Sequence, residues 1–154
     1  MPTIRTDIID AYLFRESAGT VEFLQLRRTE QPLAGTWQPV MGHLEASETA
    51  VNAAVREIAE ETGLDVRGPD CTGFWALESV HPFFLPAADA IVLSPCFAAR
   101  VTAAWSPTLD REHDRLRWIS EAEIDKGFMW PGQRNACREV LTLALTGVLT
   151  RLSL

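Results

Sequence analysis

The sequence predicts a single α+β domain in which helices cover a mixed β-sheet. Segments rich in Ile, Leu, Val and aromatic residues alternate with segments whose apolar residues recur at helical spacing, and the two kinds interleave along the chain. The 154 residues, 47% hydrophobic and 23% charged, are enough for one hydrophobic core. They contain no repeat, low-complexity run or linker, so we expect one domain over residues 1–154.

Two adjacent strands are expected near the start of the chain. TDIIDAYLFR (6–15) and VEFLQLRR (21–28) are rich in β-branched and aromatic residues, and ESAGT (16–20) between them is typical of a turn. EQPLAG (30–35) is then predicted to be a loop, and TWQPVMG (36–42) a short strand.

A helix is expected between Ser47 and Gly63. Ser47 is a plausible N-cap, and Glu48 would lie in the first turn, where the helix dipole favours negative charge. Gly63 suits the left-handed residue just past the helix end. Apolar residues at i, i+3, i+4 and i+7 form one stripe: Val51, Ala54, Val55 and Ile58.

The second half begins with two further strands, CTGFWALESV (71–80) and AIVLSPCFAARVTA (90–103). The segment HPFFLPAAD (81–89) between them, with its two prolines, is predicted to be a loop. Trp75, in the first of these strands, is assigned to the core, and so is Trp118 further along the chain.

The last part of the chain is expected to run from loop to strand to helix. LDREHD (109–114) is a polar loop before the strand RLRWIS (115–120). Ser120 and Glu123 have the spacing of a capping box for a short helix. GQRNACREVLTLALTGVLTRL (132–152) is predicted to be an amphipathic helix.

Charge and cysteine content narrow the class of protein. A net charge of −7 argues against a nucleic-acid polymer as partner, because that affinity comes from Lys and Arg neutralising phosphates. The three cysteines, Cys71, Cys96 and Cys137, form no metal or disulfide pattern and are expected to be reduced thiols. No signal peptide or bilayer-spanning stretch is evident, so we expect a cytoplasmic protein with no membrane partner.

Three glutamates on the predicted helix need an explanation. Glu57, Glu60 and Glu61 stand at i, i+3 and i+4, where like charges repel by roughly 0.2–0.5 kcal/mol per pair. Clustered carboxylate oxygens are suitable ligands for Mg²⁺ or Mn²⁺, which would turn that repulsion into binding energy. The alternative is an ordinary solvated helix face.

The residues around these three glutamates favour a metal site over an ordinary solvated helix face. The segment 42–64 matches G-x5-E-x7-R-E-U-x-E-E-x-G-U without a gap, where U is a bulky aliphatic residue. Seven fixed residue types at roughly 7% each match by chance on the order of 10⁻⁸ per window. The segment resembles the Nudix box, and the chain resembles a Nudix hydrolase. The matching residues are Gly42, Glu48, Arg56, Glu57, Ile58, Glu60, Glu61, Gly63 and Leu64.

The resemblance implies an α/β/α sandwich with the box as a loop–helix–loop, and hydrolysis of a nucleoside diphosphate linked to another moiety. It implies that Glu57, Glu60 and Glu61 hold Mg²⁺ or Mn²⁺, and that the metal-bound water is the nucleophile. Arg56 would orient Glu57. Structural support of the box would come from Glu48, from Gly63 and from Gly42, which gives the backbone room for a turn.

The chain also resembles a Nudix subgroup, the dihydroneopterin triphosphate pyrophosphohydrolases, which also act on deoxynucleoside triphosphates such as dATP. LDREHDRLRWISEAEI and FMWPGQRNACREV are similar to the C-terminal half of that subgroup, and FLQLRR and GTWQPVMGHLE also fit. His43 stands where many Nudix proteins have a second glycine, a departure that the subgroup shares. We expect His43 to be a solvent-facing residue and no ligand. The matching residues are Glu112, His113, Trp118, Trp130 and Asn135.

This subgroup resemblance implies further site residues. Glu112 would be an additional metal ligand or the general base, as Glu60 or Glu61 also could be; the alternative is a solvated loop acid. Arg28 is the expected phosphate contact, because Arg27 and Arg28 alternate along a strand and only one faces the site. Gly42 lies at the expected substrate site as well.

Aromatic and amide side chains are candidates for contact with the heterocycle. Trp37 would stack on it or lie buried. Asn135, with Gln133, has an amide suited to a heterocycle edge, or else caps a helix. Phe83 and Phe84 would line the mouth of the pocket or form a subunit contact.

The expected function is a Mg²⁺-dependent pyrophosphohydrolase that cleaves dihydroneopterin triphosphate or a dNTP into a monophosphate and pyrophosphate. Alternatives are oxidised dNTPs, dinucleoside polyphosphates, ADP-ribose and nucleotide sugars. The sole tyrosine, Tyr12, lies upstream of the box, which weakens the dinucleoside option, and Pro82 fits the ADP-ribose spacing poorly. A non-catalytic nucleotide sensor and an acidic helix without a ligand are two further alternatives. A homodimer is possible.

Overall fold

The computed structural model of the chain describes residues 1–146 and residue 154. The described residues form one mixed sheet of eight strands with helices packed on both faces, which confirms the predicted fold class. The strands are β1 (Thr3–Arg5), β2 (Ile8–Ser17), β3 (Thr20–Arg28), β4 (Trp37–Gln38), β5 (Val40–His43), β6 (Cys71–Leu85), β7 (Ala90–Val101) and β8 (His113–Ser120). The α-helices are α1 (Ala50–Thr62), α2 (Ile124–Gly127) and α3 (Pro131–Thr146), and Pro86–Ala88 and Glu121–Glu123 are short 3₁₀-helices.

The sheet is mixed because β7 pairs in both senses. It runs parallel to β1 and β2 and antiparallel to β6. β2 is also antiparallel to β3 and β5, and β3 is antiparallel to β4 and β8. The strands β2, β3 and β7 therefore connect all the others, and the short strand β5, which pairs with β2, carries the start of the glutamate segment.

Alternation along β2 supplies two hydrophobic cores. Ile9, Ala11 and Leu13 point to one face, where they join the same core as Ala54 and Ile58 of α1. On the other face Tyr12 and Phe14 belong to a second core that contains Ala136, Cys137 and Val140 of α3. Full burial of a side chain such as Leu13 contributes about 1.5–3 kcal/mol. The two cores on either side of the sheet make the α/β/α sandwich.

The predicted loop 81–89 was mostly wrong. β6 continues through residue 85, with Phe83 opposite Val92 and Phe84 opposite Ile91. Within the described chain β6 pairs only with β7, so it is an edge strand, where a proline such as Pro82 is tolerated. The turn itself is only the 3₁₀-helix and Asp89, which has a φ of 45°.

Other strand predictions needed smaller corrections. The predicted strand 36–42 is divided into β4 and β5, which pair with different strands on either side of Pro39. The turn 16–20 is tighter than expected, because only Ala18 and Gly19 have positive φ, at 51° and 79°. β1 was not predicted at all.

The N-cap of α1 is Thr49, and the prediction of Ser47 was wrong. The Asn52 N–H donates to Thr49 Oγ1 at 3.2 Å, whereas Ser47 has a φ of 67° in the preceding loop. Glu48 therefore also precedes the helix and does not lie in its first turn. The predicted C-terminal end is confirmed: Gly63 has a φ of 75° and donates its N–H to the Ala59 carbonyl at 2.9 Å.

The remaining element predictions agree with the structure to within a few residues where it describes the chain; the predicted loop 109–114 ends at Glu112, because β8 begins at His113. The Ser120–Glu123 capping box is present, and the C-terminal helix is α3; its predicted continuation over 147–152 lies outside the described residues. Trp75 is buried, and the three cysteines are free. Among the described helices, none has both the length and the hydropathy needed to cross a bilayer. The cytoplasmic location and the homodimer stay predictions.

Candidate functional site

Arg56 links three parts of the glutamate segment. Its Nη1 donates to Glu57 Oε1 at 2.7 Å, and its Nε and Nη2 donate to the two Glu48 carboxylate oxygens at 3.0 and 2.8 Å. Nη2 also donates to the His43 carbonyl at 2.9 Å. The hydrogen bonds from Arg56 hold the pKa of Glu48 below its usual range. One guanidinium thus ties the end of β5 and the loop before α1 to the helix face that carries Glu57.

Gly42 makes room for Glu57. It lies in β5 opposite Ile9, and a Cβ atom on it would stand 2.0 Å from Glu57 Cδ. The expected role of Gly42 in a turn is therefore corrected: its backbone is extended strand, and the absence of a side chain lets the carboxylate of α1 lie against the sheet.

Glu61 is a buried carboxylate without a full set of hydrogen bonds. The residue is 2% exposed, and its Oε2 is one of two buried polar side-chain atoms that lack a hydrogen-bond partner within the described residues. Burial raises the pKa of Glu61 well above its ordinary value, and the nearby charges of Glu57, Asp110 and Glu112 raise it further. A backbone hydrogen bond with Met41 opposes this shift in pKa only partly.

Glu60 and Glu112 bring more exposed carboxylates to the same place. The Glu60 side chain is 58% exposed, with its Oε2 3.3 Å from Arg56 Nη1. Glu112 is exposed in the loop before β8. Burial raises the pKa of Glu57, Arg56 opposes this, and the charges of Glu60 and Glu112 add to the rise. The structure therefore brings together the four glutamates expected to bind metal.

A cleft of about 380 Å³ opens at this cluster. Residues from β2, β3, the loop after β3, β4, β5, α1 and the loop before β8 surround it. They are Ile8, Arg28, Pro32, Leu33, Gln38, Met41, Gly42, His43, Glu57, Glu60 and Glu112. A more open depression of about 450 Å³ lies elsewhere, beside Glu16 and Arg100, and has no comparable set of carboxylates among its lining residues.

The two arginines of β3 are separated as the strand alternation predicts. Arg28 lines the cleft, with its Nε donating to the Glu30 carbonyl at 3.0 Å. Arg27 points to the other face and donates through Nε to Asp114 at 2.8 Å. Arg28 is thus the arginine available to a ligand in the cleft.

The expected aromatic contact is not at the cleft. Trp37 pairs with Arg27 and so shares its face, and the Arg117 guanidinium lies 4.2 Å from the centre of the Trp37 ring. Trp37 does not line the cleft, because its neighbour Gln38 is the residue of β4 that faces it. Trp118, expected in the core, is half-buried at the core edge beneath the guanidinium of Arg15.

The amides of α3 are also placed differently from expectation. Asn135 is exposed and does not line the cleft. Gln133 is buried and caps the helix: its Oε1 accepts from the Trp130 N–H at 3.5 Å. Its Nε2 lies 3.7 Å from the sulfur of Met41, a cleft residue.

Phe83 and Phe84 are consecutive residues of β6 that point to opposite faces, and neither lines the cleft. Phe83 is half-buried, with its ring 5.0 Å from that of His81 and 6.5 Å from that of Trp130. Phe84 is 54% exposed. The pocket-mouth interpretation of this pair is therefore not supported by the lining of the cleft.

The sequence argument missed several cleft residues. Ile8, Leu33 and Met41 carry no chemical signal in the sequence; the pairing of β2 with β5 brings Ile8 and Met41 to the cleft, and the loop after β3 brings Leu33. His43, expected to face solvent, is exposed at the end of β5 and lines the cleft as well. Asp110, whose charge acts on Glu61, was passed over inside the polar loop LDREHD.

The glutamates suit a divalent cation, although in the described part of the chain no three His, Cys, Asp or Glu side chains are arranged to hold one as they stand. The donors are hard carboxylate oxygens, and the buried Glu61 Oε2 lacks a partner. Positive charge beside Glu61 would offset the burial and the neighbouring negative charges that raise its pKa. Glu60 and Glu112 are exposed, so both are free to turn towards a cation.

Comparison with known proteins shows which family and which relatives the sequence matches. A family model described as the NUDIX domain matches residues 5–140. The chain is 38% identical over 95 residues to an octanoyltransferase of Myxococcus xanthus, an alignment that covers 60% of this chain and 24% of that protein. It is 34% identical over 92 residues to the phosphatase NudJ of Escherichia coli K12, covering 57% of this chain and 54% of NudJ. The chain thus spans about a quarter and about half of these relatives.

The fold is shared with solved structures. The dihydroneopterin triphosphate pyrophosphohydrolase of Escherichia coli superposes with a TM-score of 0.72 over 92% of this chain and 99% of that one, at 20% sequence identity. At this identity the likeness concerns the fold alone.

Proposed function

This chain belongs to the Nudix family, and we propose that it is a divalent-metal-dependent pyrophosphohydrolase acting on a nucleoside-triphosphate-like substrate. The observation that carries the proposal is Glu61, a buried carboxylate oxygen without a hydrogen-bond partner in the described structure, placed among three other glutamates. A protein gains nothing in stability from such a group. A cation-binding function explains why it is there.

Different residues of the chain would bind the metal ion and the phosphate groups of the substrate. Glu57 and Glu61 would form the fixed part of a Mg²⁺ or Mn²⁺ site, because Arg56 and the sheet hold them in place. Glu60, at the exposed end of the helix face, would complete it. A divalent cation held there neutralises phosphate charge and makes a bound water more acidic. Arg28, which lines the same cleft, would bind a phosphate oxygen.

Glu112 is the proposed general base. A base must reach the attacking water and then release its proton to solvent. Glu57 is engaged by Arg56, and Glu61 is buried, whereas Glu112 is exposed at the edge of the cleft. It also lies on the loop before β8, a different element from the helix that carries the other three glutamates.

For the substrate we propose dihydroneopterin triphosphate or a deoxynucleoside triphosphate, cleaved between the α and β phosphates. Support comes from the segments before and within β8 and α3 that resemble the pyrophosphohydrolase subgroup. Trp37 and Asn135 do not line the cleft. The heterocycle would therefore contact apolar residues that do, such as Leu33 and Met41.

The test is hydrolysis of a panel of substrates, with Mg²⁺ and with EDTA, with the products separated and identified; a triphosphate cleaved between the α and β phosphates gives a monophosphate and pyrophosphate. The panel holds dihydroneopterin triphosphate, dATP, an oxidised dGTP, a dinucleoside polyphosphate and ADP-ribose. We expect turnover of a triphosphate only with the metal, and a loss of at least about 10²-fold in Glu61→Gln. Glu121→Gln, an exposed glutamate of the 3₁₀-helix Glu121–Glu123, is the matched control and should stay active. Near-normal turnover by Glu61→Gln, or tight binding of the panel without turnover of any member, would contradict the proposal.

A further inference from the structure

Asp110, in the loop that carries Glu112, pairs with a buried histidine at the start of β8. His113 Nδ1 lies 2.8 Å from Asp110 Oδ1, with the two side chains 4% and 22% exposed. A carboxylate only accepts hydrogen bonds, so Nδ1 is the donor. The neighbouring residues Arg111, Glu112 and Asp114 are all exposed. With His113 buried and Asp110 partly buried, the pair anchors an otherwise exposed stretch of the chain.

A β-bulge directs His113 to the cleft side of the sheet. Arg27 pairs with Arg115, but Arg28 pairs with His113, so Asp114 is an extra residue in β8. Without the bulge, alternation would place His113 on the face of Arg27. With it, His113 shares the face of Arg28, which lines the cleft.

The backbone of Glu112 is held from both sides. Thr29, just after β3, donates its N–H and its Oγ1 to the Glu112 carbonyl at 2.9 and 3.0 Å. Further upstream, Thr108 donates its N–H to the Thr62 carbonyl at the end of α1, at 2.8 Å. The His113–Asp110 pair links the residue after Glu112 to the part of the loop between these two attachments. Asp110 is also close enough to Glu61 for its charge to act on that carboxylate.

We propose that His113 and Asp110 are positioning residues that hold Glu112 at the cleft; the proposal rests on the function assigned to Glu112 above. An exposed side chain on a loop acts efficiently only if its backbone is fixed, since small displacements of a reacting group are costly. Loss of a supporting hydrogen bond of this kind typically costs about 10–100-fold in activity.

The first test compares two substitutions of His113. His113→Asn keeps an N–H donor near the position of Nδ1, and His113→Leu removes it. We expect His113→Leu to lower kcat about 10–100-fold with KM within about threefold, and His113→Asn to recover most of that loss. Asp114→Asn, which loosens the exposed pair with Arg27 in the same loop, is the control and should keep wild-type kcat. Equal losses in His113→Leu and His113→Asn would overturn the proposal.

A double-mutant cycle shows whether His113 acts through Glu112. In a Glu112→Gln background, adding His113→Leu should cost less than about twofold, because the group it positions is already lost. Full additivity would overturn the proposal and assign His113 a general structural role.

A metal-free and substrate-free measurement separates this proposal from the proposed function. Hydrogen exchange of the Thr29 amide reports directly on its bond to the Glu112 carbonyl. We expect at least about tenfold faster exchange in His113→Leu than in wild type or Asp114→Asn. Unchanged exchange would refute the positioning role, whether or not the protein hydrolyses a triphosphate. Faster exchange in a protein that hydrolyses nothing would leave the anchor in place and refute only the function.

Discussion

The side chain of Glu57 fills the space that a side chain at position 42 would need, so Gly42 and Glu57 fit together only because residue 42 is a glycine. A Cβ atom on Gly42 would lie 2.0 Å from Glu57 Cδ and 2.2 Å from its Oε1. The atoms in conflict are the far end of a flexible side chain, so the strain is relieved when Glu57 moves and its bond to Arg56 breaks. The backbone of β5 at Gly42 therefore determines the position of the Glu57 carboxylate of α1.

Gly42→Ala should therefore impair activity more than stability. We expect kcat to fall at least about tenfold because Glu57 is displaced, with only a small change in Tm. Gly68→Ala, where the nearest atom to the new Cβ is 3.2 Å away in a surface loop, is the control. Steady-state kinetics and thermal melts measure both effects. A large drop in Tm with unchanged kcat would show that the glycine serves the fold.

Arg56→Lys should lose the link between Glu48 and Glu57. A lysine ammonium cannot reproduce the fork that donates to both carboxylates and the His43 carbonyl. We expect activity to fall more than about tenfold and Tm by a few degrees. Arg27→Lys alters an exposed arginine–aspartate pair of similar geometry and should change neither. Equal behaviour of the two variants would contradict the special role of Arg56.

Arg28→Gln should raise KM. A charge-assisted contact to a phosphate is worth about 1.5–3 kcal/mol, which corresponds to roughly tenfold or more in KM. Arg27→Gln is the matched control, because Arg27 is on the opposite face of the strand. Initial rates over a range of triphosphate concentrations distinguish the two. A larger effect from Arg27→Gln would reverse the assignment.

Stability of the metal-free protein should depend on the charge of Glu61. Burial raises the pKa of Glu61 in the folded protein above its ordinary value of 4.5, so the folded state binds the proton more tightly than the unfolded state. The free energy of unfolding must then fall as pH rises from about 4.5 to the raised pKa. Glu61→Gln removes this term and should be more stable than wild type above that window. Urea melts in EDTA across pH 4–8 measure the difference, and a stability difference that shows no change with pH would contradict it.

Thr49→Ala should destabilise α1, and Ser47→Ala should not. Loss of an N-cap side chain costs about 1 kcal/mol, and Thr49 is the residue that accepts from the Asn52 N–H. Ser47 lies two residues earlier in the loop and is the internal control. Denaturant melts of both variants check this. The same loss in Ser47→Ala would restore Ser47 as the cap.

Local patterns in the sequence were sufficient for most of the elements and for the glutamates. Strand alternation, the apolar stripe of α1 and the left-handed Gly63 depend on neighbours within one turn or one strand, so a linear chain displays them. The spacing of Glu57, Glu60 and Glu61 likewise identifies one helix face. Loop and cap predictions failed where Pro82 suggested a break and Ser47 a cap, because pairing with β7 and the path of the loop overrode local preference.

Relations between distant segments required the tertiary structure. The strand register places Gly42 beside Glu57, and it turns Arg28, and not Trp37, towards the cleft. The charge of Asp110 acts on Glu61 because the loop before β8 is attached to the end of α1. The burial that raises the pKa of Glu61 is likewise a property of the packed sheet and helix, since desolvation depends on every atom around a group. Residue types and their spacing along the chain specify which chemistry is available. Long-range packing specifies which of those groups meet.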